Sequence, residues 1–421
     1  MTQLALQAVM VDGMQLVYDW NEGEELQAPP VPLSFDDETL RDGLQSPSVK
    51  NPALAEKVEF LHRAAALGIT SADVGLPGAG QRAAADARGL VAEIVASRLP
   101  ITPNCAARTT ESDIVPILEI AYHTGCEVEI ALFVGASPIR FFVEGWTLDE
   151  VLRRAERCVR TAVAHGAPVT FVTEDTTRSH PEDLRRIVGV AVRSGARRVC
   201  VADTVGHATP AGAARIVRFM REVIRAAGGD TVGLDWHGHN DRGLATANAL
   251  AAAVAGADRL HGTVLGVGER VGNAPMEQLL VNARLLGWFD ADLRGLSAYV
   301  QYGAAIFGID VPPLQPVVGR DAYRTSTGVH AAAILKAIAK GEAALADMVY
   351  SAVPASWVGA QQRLEVGPMS GMSNVRHWLA SHGYEPNEAV AEHLLAAAKR
   401  ADRTLRDDQL EALVTACAGD S

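Results

Sequence analysis

The sequence predicts an α/β fold, a (β/α)8 TIM barrel followed by a helical C-terminal extension. Two observations support this prediction. Short β-type runs alternate strictly with longer amphipathic segments, and the alternation gives eight strand and helix units over roughly 255 residues. Eight parallel units are the number that closes a TIM barrel. A doubly wound open sheet shows the same alternation and stays an alternative.

The predicted strands are short runs rich in apolar and β-branched residues. They occupy residues 33–35, 71–75, 101–105, 128–134, 169–173, 198–203, 232–237 and 259–265. The predicted helices are Ala-, Leu- and Arg-rich segments with apolar residues at helical spacing. They occupy residues 53–67, 83–97, 112–123, 147–165, 181–194, 210–226, 243–255 and 275–286. Several begin with clear helix-start signals, such as Thr147 three residues before Glu150, and Thr209 before Pro210.

Three regions follow from this pattern. Residues 1–32 form an N-terminal arm that ends in a proline-rich stretch, which favours extended backbone. Residues 33–289 form the barrel. Residues 290–421 are predicted to be mainly helical, and the roughly 80 residues after Lys340 are too few and too helical for a further βα-repeat domain.

Charge and hydropathy exclude several classes of protein. The chain has 38 Lys and Arg against 50 Asp and Glu, a net charge of −12, so no broad basic face is expected for nucleic acid or an anionic membrane. The longest apolar stretches fall well below the ~18–20 residues that cross a bilayer. Because the N-terminus carries no basic region, it does not resemble a targeting signal, and we expect a cytoplasmic protein.

Chemistry in a barrel is expected where strands end and βα loops begin. Asp42 lies in a charged segment after the first predicted strand, where a helix cap would be the alternative explanation. His237 and His239 follow the seventh strand, and residues i and i+2 of a strand share a face, so both imidazoles can bind one cation. A glycine-rich loop that ends at Asn273 follows the eighth strand, without dinucleotide or P-loop spacing.

Three motifs together resemble a known family. They are ETLRDGLQ at 38–45, HGHND at 237–241 and GERVGNA at 268–274. They resemble the DRE-TIM metallolyase superfamily, in particular its Claisen-condensing branch of 2-isopropylmalate, homocitrate and citramalate synthases. The resemblance covers roughly residues 33–340 and implies an enzyme of amino-acid biosynthesis.

The resemblance implies a metal site. Asp42, His237 and His239 would bind a divalent cation, with Asn273 at or near the coordination sphere. Carboxylate, imidazole and amide ligands suit Mn²⁺, Zn²⁺, Co²⁺ or Mg²⁺, so the sequence does not choose among these ions.

The resemblance also implies the reaction. Acetyl-CoA or a related acyl-CoA, as co-substrate, would condense with a 2-oxo acid to a 2-hydroxy-2-carboxylic acid and free CoA. Arg41 would stabilise the developing oxyanion, and His330 would be the base that forms the enolate, reaching a neighbouring subunit's site in a homodimer. Glu174 would orient or protonate that histidine; a helix-capping acidic cluster is the alternative for this residue.

Three further residues are implied in substrate binding. Thr204 would donate a hydrogen bond to the carboxylate of the 2-oxo acid, and Gln45 would contribute another in the same pocket. Arg140 is a candidate for reading a second substrate carboxylate, or is an ordinary surface arginine.

One departure keeps a second reaction open. The synthases commonly have RDGEQ where this chain has Leu44, and RDGLQ is more typical of the 3-hydroxy-3-methylglutaryl-CoA lyases. The loop after the eighth strand lacks the cysteine of those lyases and matches the synthases. A metal-dependent lyase or aldolase is therefore the alternative, and a catalytically silent scaffold is disfavoured because the motif residues are intact.

Overall fold

Eight parallel strands close into a barrel in which each strand pairs with its neighbour in the chain and the last pairs with the first. The predicted TIM barrel is confirmed, and the open sheet is excluded. The structure, a computed structural model, describes residues 10–11, 14–21, 28–385 and 387–419. The chain divides into two compact units, Met1–Asp310 and Val311–Ser421.

The barrel strands, β1 to β8 in chain order, lie close to the predicted runs. They span Ser34–Asp37, Ser71–Asp73, Thr102–Arg108, Glu129–Gly135, Val169–Glu174, Arg198–Asp203, Gly233–Gly238 and Arg259–Gly262. Upstream, Met10–Val11 pairs with Met14–Gln15 in a short antiparallel ladder. The predicted arm 1–32 otherwise lies partly outside the described residues.

Ten helices of the first unit, α1 to α10, surround the barrel strands in sequence. They span Leu54–Ala66, Gln81–Ser97, Glu111–Thr124, Pro138–Glu144, Leu148–Ala164, Pro181–Arg193, Pro210–Ala226, Ala245–Ala255, Met276–Leu285 and Leu296–Phe307. The Thr147 capping box is formed, with Thr147 N–H donating to Glu150 at 2.8 Å. Within the described ranges, no helix has both the length and the apolar character that a membrane span requires.

Alternate side chains of the barrel strands face the central cavity. On β4, Leu132 is fully buried, whereas Ala131 and Phe133 on either side of it line the central cavity. On β5, Phe171 is buried in the same way between the cavity residues Thr170 and Val172. The period of two therefore separates an apolar layer from the side chains that face the cavity.

The first unit continues past the predicted boundary at residue 289, because α10 packs against the barrel layer. The Tyr299 ring lies 4.8 Å from the ring of Phe60 on α1, measured between centroids. The Tyr299 hydroxyl donates a hydrogen bond of 2.7 Å to Asp37 at the end of β1. Aromatic packing and this buried hydrogen bond attach α10 to the barrel.

The second unit is mainly helical and has its own core. Helices α11 to α15 span Gly328–Ala339, Ala343–Met348, Met372–Ser381, Glu388–Arg400 and Asp407–Gly419. A two-residue parallel pair joins Arg324–Thr325 to Arg363–Leu364. Val366, Trp378, Leu394 and Leu410 are buried together in one apolar cluster.

Candidate active site

A cavity of about 260 Å³ opens at the carboxyl end of the barrel strands. Its lining combines acidic, basic and imidazole groups with a set of small or apolar residues. Of the residues that the sequence singles out, the cavity brings together Arg41, Asp42, Gln45, Glu174, Thr204, His237 and His239.

Asp42, His237 and His239 converge on one point. The Nε2 atoms of both histidines lie 3.4 Å from the same carboxylate oxygen, Asp42 Oδ2. Ligand atoms held about 2.0–2.2 Å from one ion lie roughly 3 to 3.5 Å from one another. The spacing of these three atoms therefore matches the ligands of a single cation.

Buried atoms without partners also fit a cation at this point. Asp42 Oδ1, His239 Nδ1 and Asn273 Oδ1 are buried and have no hydrogen-bond partner among the described residues. Buried polar atoms are rarely left unpaired unless an ion, a ligand or water satisfies them. Arg41, with His237 and His239, holds the pKa of Asp42 well below its usual value against the opposing effect of burial, so the carboxylate is charged.

Glu38 fixes the orientation of His237. Glu38 Oε1 lies 3.1 Å from His237 Nδ1 and also accepts a hydrogen bond from His261 Nδ1 at 2.5 Å. Burial alone would raise the pKa of Glu38, but Arg41 and His237 hold it well below its usual value. Because an ionised carboxylate only accepts, His237 donates from Nδ1 to Glu38, and its Nε2 is the atom that faces Asp42.

His261 connects this arrangement to the base of the cavity. Its Nε2 lies 3.1 Å from Asp235 Oδ2. Burial lowers the pKa of His261, but hydrogen bonds to Asp235 and Glu38 outweigh this and raise it to about 10. Glu38, His237 and His261 could also enclose an ion. We assign them to hydrogen bonding instead, because their facing atoms already pair with one another.

The loop after β8 carries Asn273 to the end of β7. Asn273 pairs with His239 in an antiparallel bridge, and its backbone N–H donates to Gly266 at 2.8 Å. Gly272 has φ +84°, and a Cβ there would lie 1.7 Å from the Gly266 carbonyl oxygen. Only glycine therefore fits at this position of the loop.

Arg41 lies beside the cation position. It forms ion pairs with Glu38 and with Asp73, the latter at 2.8 Å from Nε to Oδ2. Its Nη1 is 3.8 Å from Asp42 Oδ2. Burial raises the pKa of Asp73 to about 7 despite the contact with Arg41. The exposed side chain of Gln45 lines the mouth of the cavity.

The loops after β5 and β6 place two further groups on the cavity. Thr204 Oγ1 accepts a hydrogen bond of 2.8 Å from the backbone N–H of Asp175, so its own proton can be donated to a ligand. Burial raises the pKa of Glu174. Arg140 Nε lies 3.1 Å from Glu174 Oε1, and the same guanidinium lies 3.2 Å from Glu144. Arg140 is therefore held between two carboxylates on the outer side of Glu174.

His330 belongs to the second unit. It lies exposed at the start of α11, and its ring stacks on Tyr350 with 3.9 Å between centroids. The lining of the cavity comes from the first unit, so the role of His330 as a base stays a prediction.

Sequence reasoning missed Glu38, His261 and Asp73. Glu38 stands within the first motif but received no role. His261 follows Arg259 by two residues on β8, and this period-two pair of charged residues on a buried strand was the available signal. Asp73 lies inside the predicted strand 71–75 and so did not stand out as a strand-end residue, whereas the observed β2 ends at Asp73.

Comparison with known proteins gives consistent results. Residues 33–298 match the model of the HMGL-like family. The chain is 32% identical over 408 residues to the homocitrate synthase AksA of Methanopyrus kandleri, an alignment that covers 95% of this chain and 96% of that protein. It is 31% identical over 421 residues to the probable 2-isopropylmalate synthase of Ignicoccus hospitalis, with 96% of each chain covered.

The solved structures show the same fold. A hydroxymethylglutaryl-CoA lyase from Pseudomonas aeruginosa superimposes with a TM-score of 0.55 at 22% identity, over 67% of this chain and 95% of that one. The family model covers more than half of the chain, and full-length relatives exceed 30% identity. The chain therefore belongs to the HMGL-like (DRE-TIM) family, and within that family it resembles 2-isopropylmalate and homocitrate synthases over nearly its whole length.

Proposed function

We propose that this protein is a divalent-metal-dependent enzyme that condenses acetyl-CoA, or a related acyl-CoA, with a 2-oxo acid. The acyl methyl carbon loses a proton and forms a bond to the keto carbon, and the keto oxygen becomes a hydroxyl. Water then cleaves the thioester, which gives a 2-hydroxy-2-carboxylic acid product and free CoA.

One observation carries this proposal: the convergence of Asp42, His237 and His239 beside Arg41, in a chain that aligns end to end with condensing synthases. Asp42 Oδ2 and the two Nε2 atoms would hold the metal, with Asn273 Oδ1 as a further ligand. A bound divalent cation would polarise the keto group of a chelating 2-oxo acid.

The residues around the metal position would do the rest of the binding. Arg41 is held rigidly by Glu38 and Asp73, so its charge would meet the oxygen that becomes negative without reorganisation. Thr204 would donate a hydrogen bond to the substrate carboxylate, and Gln45 would contribute a hydrogen bond to the substrate at the mouth of the cavity.

We propose His330 as the base that takes the methyl proton, with Glu174 as its partner. Burial raises the pKa of Glu174, which suits a carboxyl group that takes part in proton transfer. A homodimer and a cytoplasmic location also belong to this proposal, and the metal is one of Mn²⁺, Zn²⁺, Co²⁺ and Mg²⁺.

The test is release of free thiol from acetyl-CoA by the metal-loaded protein with pyruvate, 2-oxoisovalerate, 2-oxoglutarate or oxaloacetate. We expect release with at least one 2-oxo acid. His330→Ala should abolish turnover while metal and 2-oxo acid still bind, and Asp42→Ala should abolish metal binding. His393→Ala, a histidine on α14 of the second unit, is the matched control.

The lyase alternative predicts a different result, namely cleavage of 3-hydroxy-3-methylglutaryl-CoA with no thiol release from acetyl-CoA. Leu44, which motivates that alternative, lies in an adjoining depression with Leu40, Val74 and Leu76. Leu44 is not among the described residues that line the central cavity. Cleavage without condensation would replace the proposed function by the lyase.

A further inference from the structure

We propose that the 2-oxo acid bound by this cavity is a monocarboxylate with an uncharged, mainly apolar side chain. The inference rests on the proposed function and deepens it, because the relatives include synthases for different 2-oxo acids. Sequence similarity alone does not show whether the substrate carries a second carboxylate. We infer that the cavity excludes such a substrate.

The position of the metal ligands determines which wall the substrate side chain meets. Asp42 follows β1, and His237 lies on β7, so the cation position is on one side of the closed barrel. The strands farthest from it around the barrel are β3, β4 and β5. A 2-oxo acid that chelates through its carboxylate and keto oxygens would direct its side chain across the cavity toward these strands.

The opposite wall has an apolar part, beside which Asn104, Glu129, Thr170 and Glu174 of the same three strands also line the cavity. Ala106 on β3, Ala131 and Phe133 on β4, and Val172 on β5 all line the cavity. Small residues leave room for a side chain larger than a methyl group. None of the four apolar residues can pair with a charge.

The ionisable groups of the whole lining are mainly acidic. The cavity has six carboxylates, contributed by Glu38, Asp42, Asp73, Glu129, Glu174 and Glu269. It has two guanidinium groups, those of Arg41 and Arg259. A divalent cation and one substrate carboxylate would reduce the imbalance between these charges, but a second carboxylate would add to the excess of negative charge.

Both guanidinium groups already have partners. Arg41 is paired with Glu38 and Asp73. Arg259 lies 2.7 Å from Glu129 and 2.5 Å from Asp235, and it also donates to Thr170. Both ring nitrogens of His261 are likewise taken, by Glu38 and Asp235. Among the described residues that line the cavity, neither guanidinium is therefore left to receive a distal carboxylate.

Arg140, the residue predicted to read such a carboxylate, does not supply one. Its guanidinium lies 3.1 Å from Glu174 and 3.2 Å from Glu144 and does not line the cavity. Recruiting it would leave Glu174 without its counterion. A dicarboxylate would therefore bring a charge into a buried, negatively charged site without compensation, which is strongly unfavourable.

The test is direct binding to the metal-loaded protein without acyl-CoA, by isothermal titration calorimetry with pyruvate, 2-oxoisovalerate and 2-oxoglutarate. We expect at least one monocarboxylate to bind about 100-fold or more tightly than 2-oxoglutarate. Thiol release from acetyl-CoA should follow the same order.

A pair of variants tests the cause. Glu129→Gln keeps the shape at Arg259 but removes one negative charge from the cavity. The ratio of the Kd of 2-oxoglutarate to the Kd of the tightest monocarboxylate should therefore fall about tenfold. Glu127→Gln is the matched control, because Glu127 is exposed and paired with the exposed Arg197 at 3.2 Å, outside the cavity. Should Glu129→Gln fail to fold, Val172→Lys adds a positive charge on the opposite wall, and Val172→Met is its uncharged control. Val172→Lys should lower the same ratio of Kd values, and Val172→Met should not.

The outcomes are distinct. Equal or tighter binding of 2-oxoglutarate overturns this inference while leaving the proposed function in place. Absence of binding and of thiol release with every 2-oxo acid overturns the proposed function, and this inference with it. An equal gain in 2-oxoglutarate binding from Glu129→Gln and Glu127→Gln would show that the cavity charge is not the cause, which also overturns the inference.

Discussion

Glu38 accepts hydrogen bonds from two histidines with one oxygen and pairs with Arg41 through the other. This arrangement decides which nitrogen of His237 faces Asp42, and therefore whether the triad of Asp42, His237 and His239 can bind a cation without rearrangement. A carboxylate behind a metal-binding histidine fixes the ring and raises its basicity. At the residue scale, Glu38 thus acts as a positioning residue for the proposed metal site.

Glu38→Gln should weaken metal binding by about 10- to 100-fold, because the amide can no longer enforce the Nδ1–H form of His237. Competition with a chromophoric chelator measures this affinity. Glu156→Gln is the control, since Glu156 forms only an exposed helix-surface pair with Arg160 at 3.0 Å. Equal metal affinity in the two variants would contradict the positioning role.

Asp37 gives a pH-dependent prediction for stability. Burial raises its pKa from the usual 3.8 to about 6. Because the folded state binds this proton more tightly, ionisation becomes costly as the pH rises from about 4 to about 6, and the cost is constant above that. Relative to Asp37→Asn, the wild type should lose about 1.4 kcal/mol of unfolding free energy per pH unit in that window.

Urea unfolding between pH 4 and pH 8 measures this difference. Tyr299→Phe is the informative companion, because it removes a donor that stabilises the Asp37 carboxylate. It should therefore extend the window to higher pH. Parallel pH profiles for the wild type and Asp37→Asn would show that Asp37 does not titrate in this way.

The sequence predicted the residues of the triad but not the network behind them. The spacing of His237 and His239 is a strand pattern with a specific chemical consequence, and both rings do face Asp42. Glu38 and His261 meet across the closure between β8 and β1, residues separated by more than half the chain. Such a pair depends on the register of barrel closure, which no local pattern contains.

At the scale of elements, the loop after β8 holds the site together. It brings Asn273 to His239, while Arg270 donates to the Thr204 carbonyl oxygen at 2.7 Å and so connects the ends of β6, β7 and β8. Gly272 allows this loop to turn back on itself. Its carbonyl oxygen accepts a hydrogen bond of 2.9 Å from the backbone N–H of Asn240, while its Cα faces Gly266.

Gly272→Ala should therefore damage both stability and metal binding. Gly287→Ala is the matched control: Gly287 has φ +70° and no atom within 4 Å of the position that a Cβ would take, whereas Gly272 has φ +84° and a direct clash. We expect about 1 kcal/mol of destabilisation for Gly287→Ala and a larger loss for Gly272→Ala. Urea unfolding and metal titration distinguish them, and similar results for both would show that the close approach is unimportant.

The bounds of the strands show where local pattern stops being informative. β3 continues to Arg108 through two alanines because β4 supplies the pairing partners, although alanine favours strands little. β8 ends at Gly262, short of the predicted residue 265, because the chain turns at Leu265 with φ 55°. Pairing and turn geometry are tertiary properties, so strand existence was predictable and strand ends were not.

At the scale of the whole molecule, the first compact unit extends to Asp310, beyond residue 289, where the sequence analysis ended the barrel. α10 is apolar on most sides, and the pattern does not show which surface it covers. Tyr299, Phe60 and Asp37 settle this by contact, since their side chains pack and hydrogen-bond together. The boundary between the compact units, after Asp310, is therefore set by packing partners distant in sequence.

Each compact unit has a separate apolar core. A substitution that leaves a cavity in one core should therefore lower the stability of that unit first. Leu394 is fully buried in the cluster with Trp378 and Leu410, and Leu184 is buried on α6 of the barrel unit. Leu394→Ala and Leu184→Ala delete the same atoms and should each cost about 2–5 kcal/mol. Hydrogen exchange should show lost protection within residues 311–421 for Leu394→Ala and in the barrel for Leu184→Ala. Equal loss of protection throughout the chain in both variants would instead mean that the two units unfold as one cooperative body.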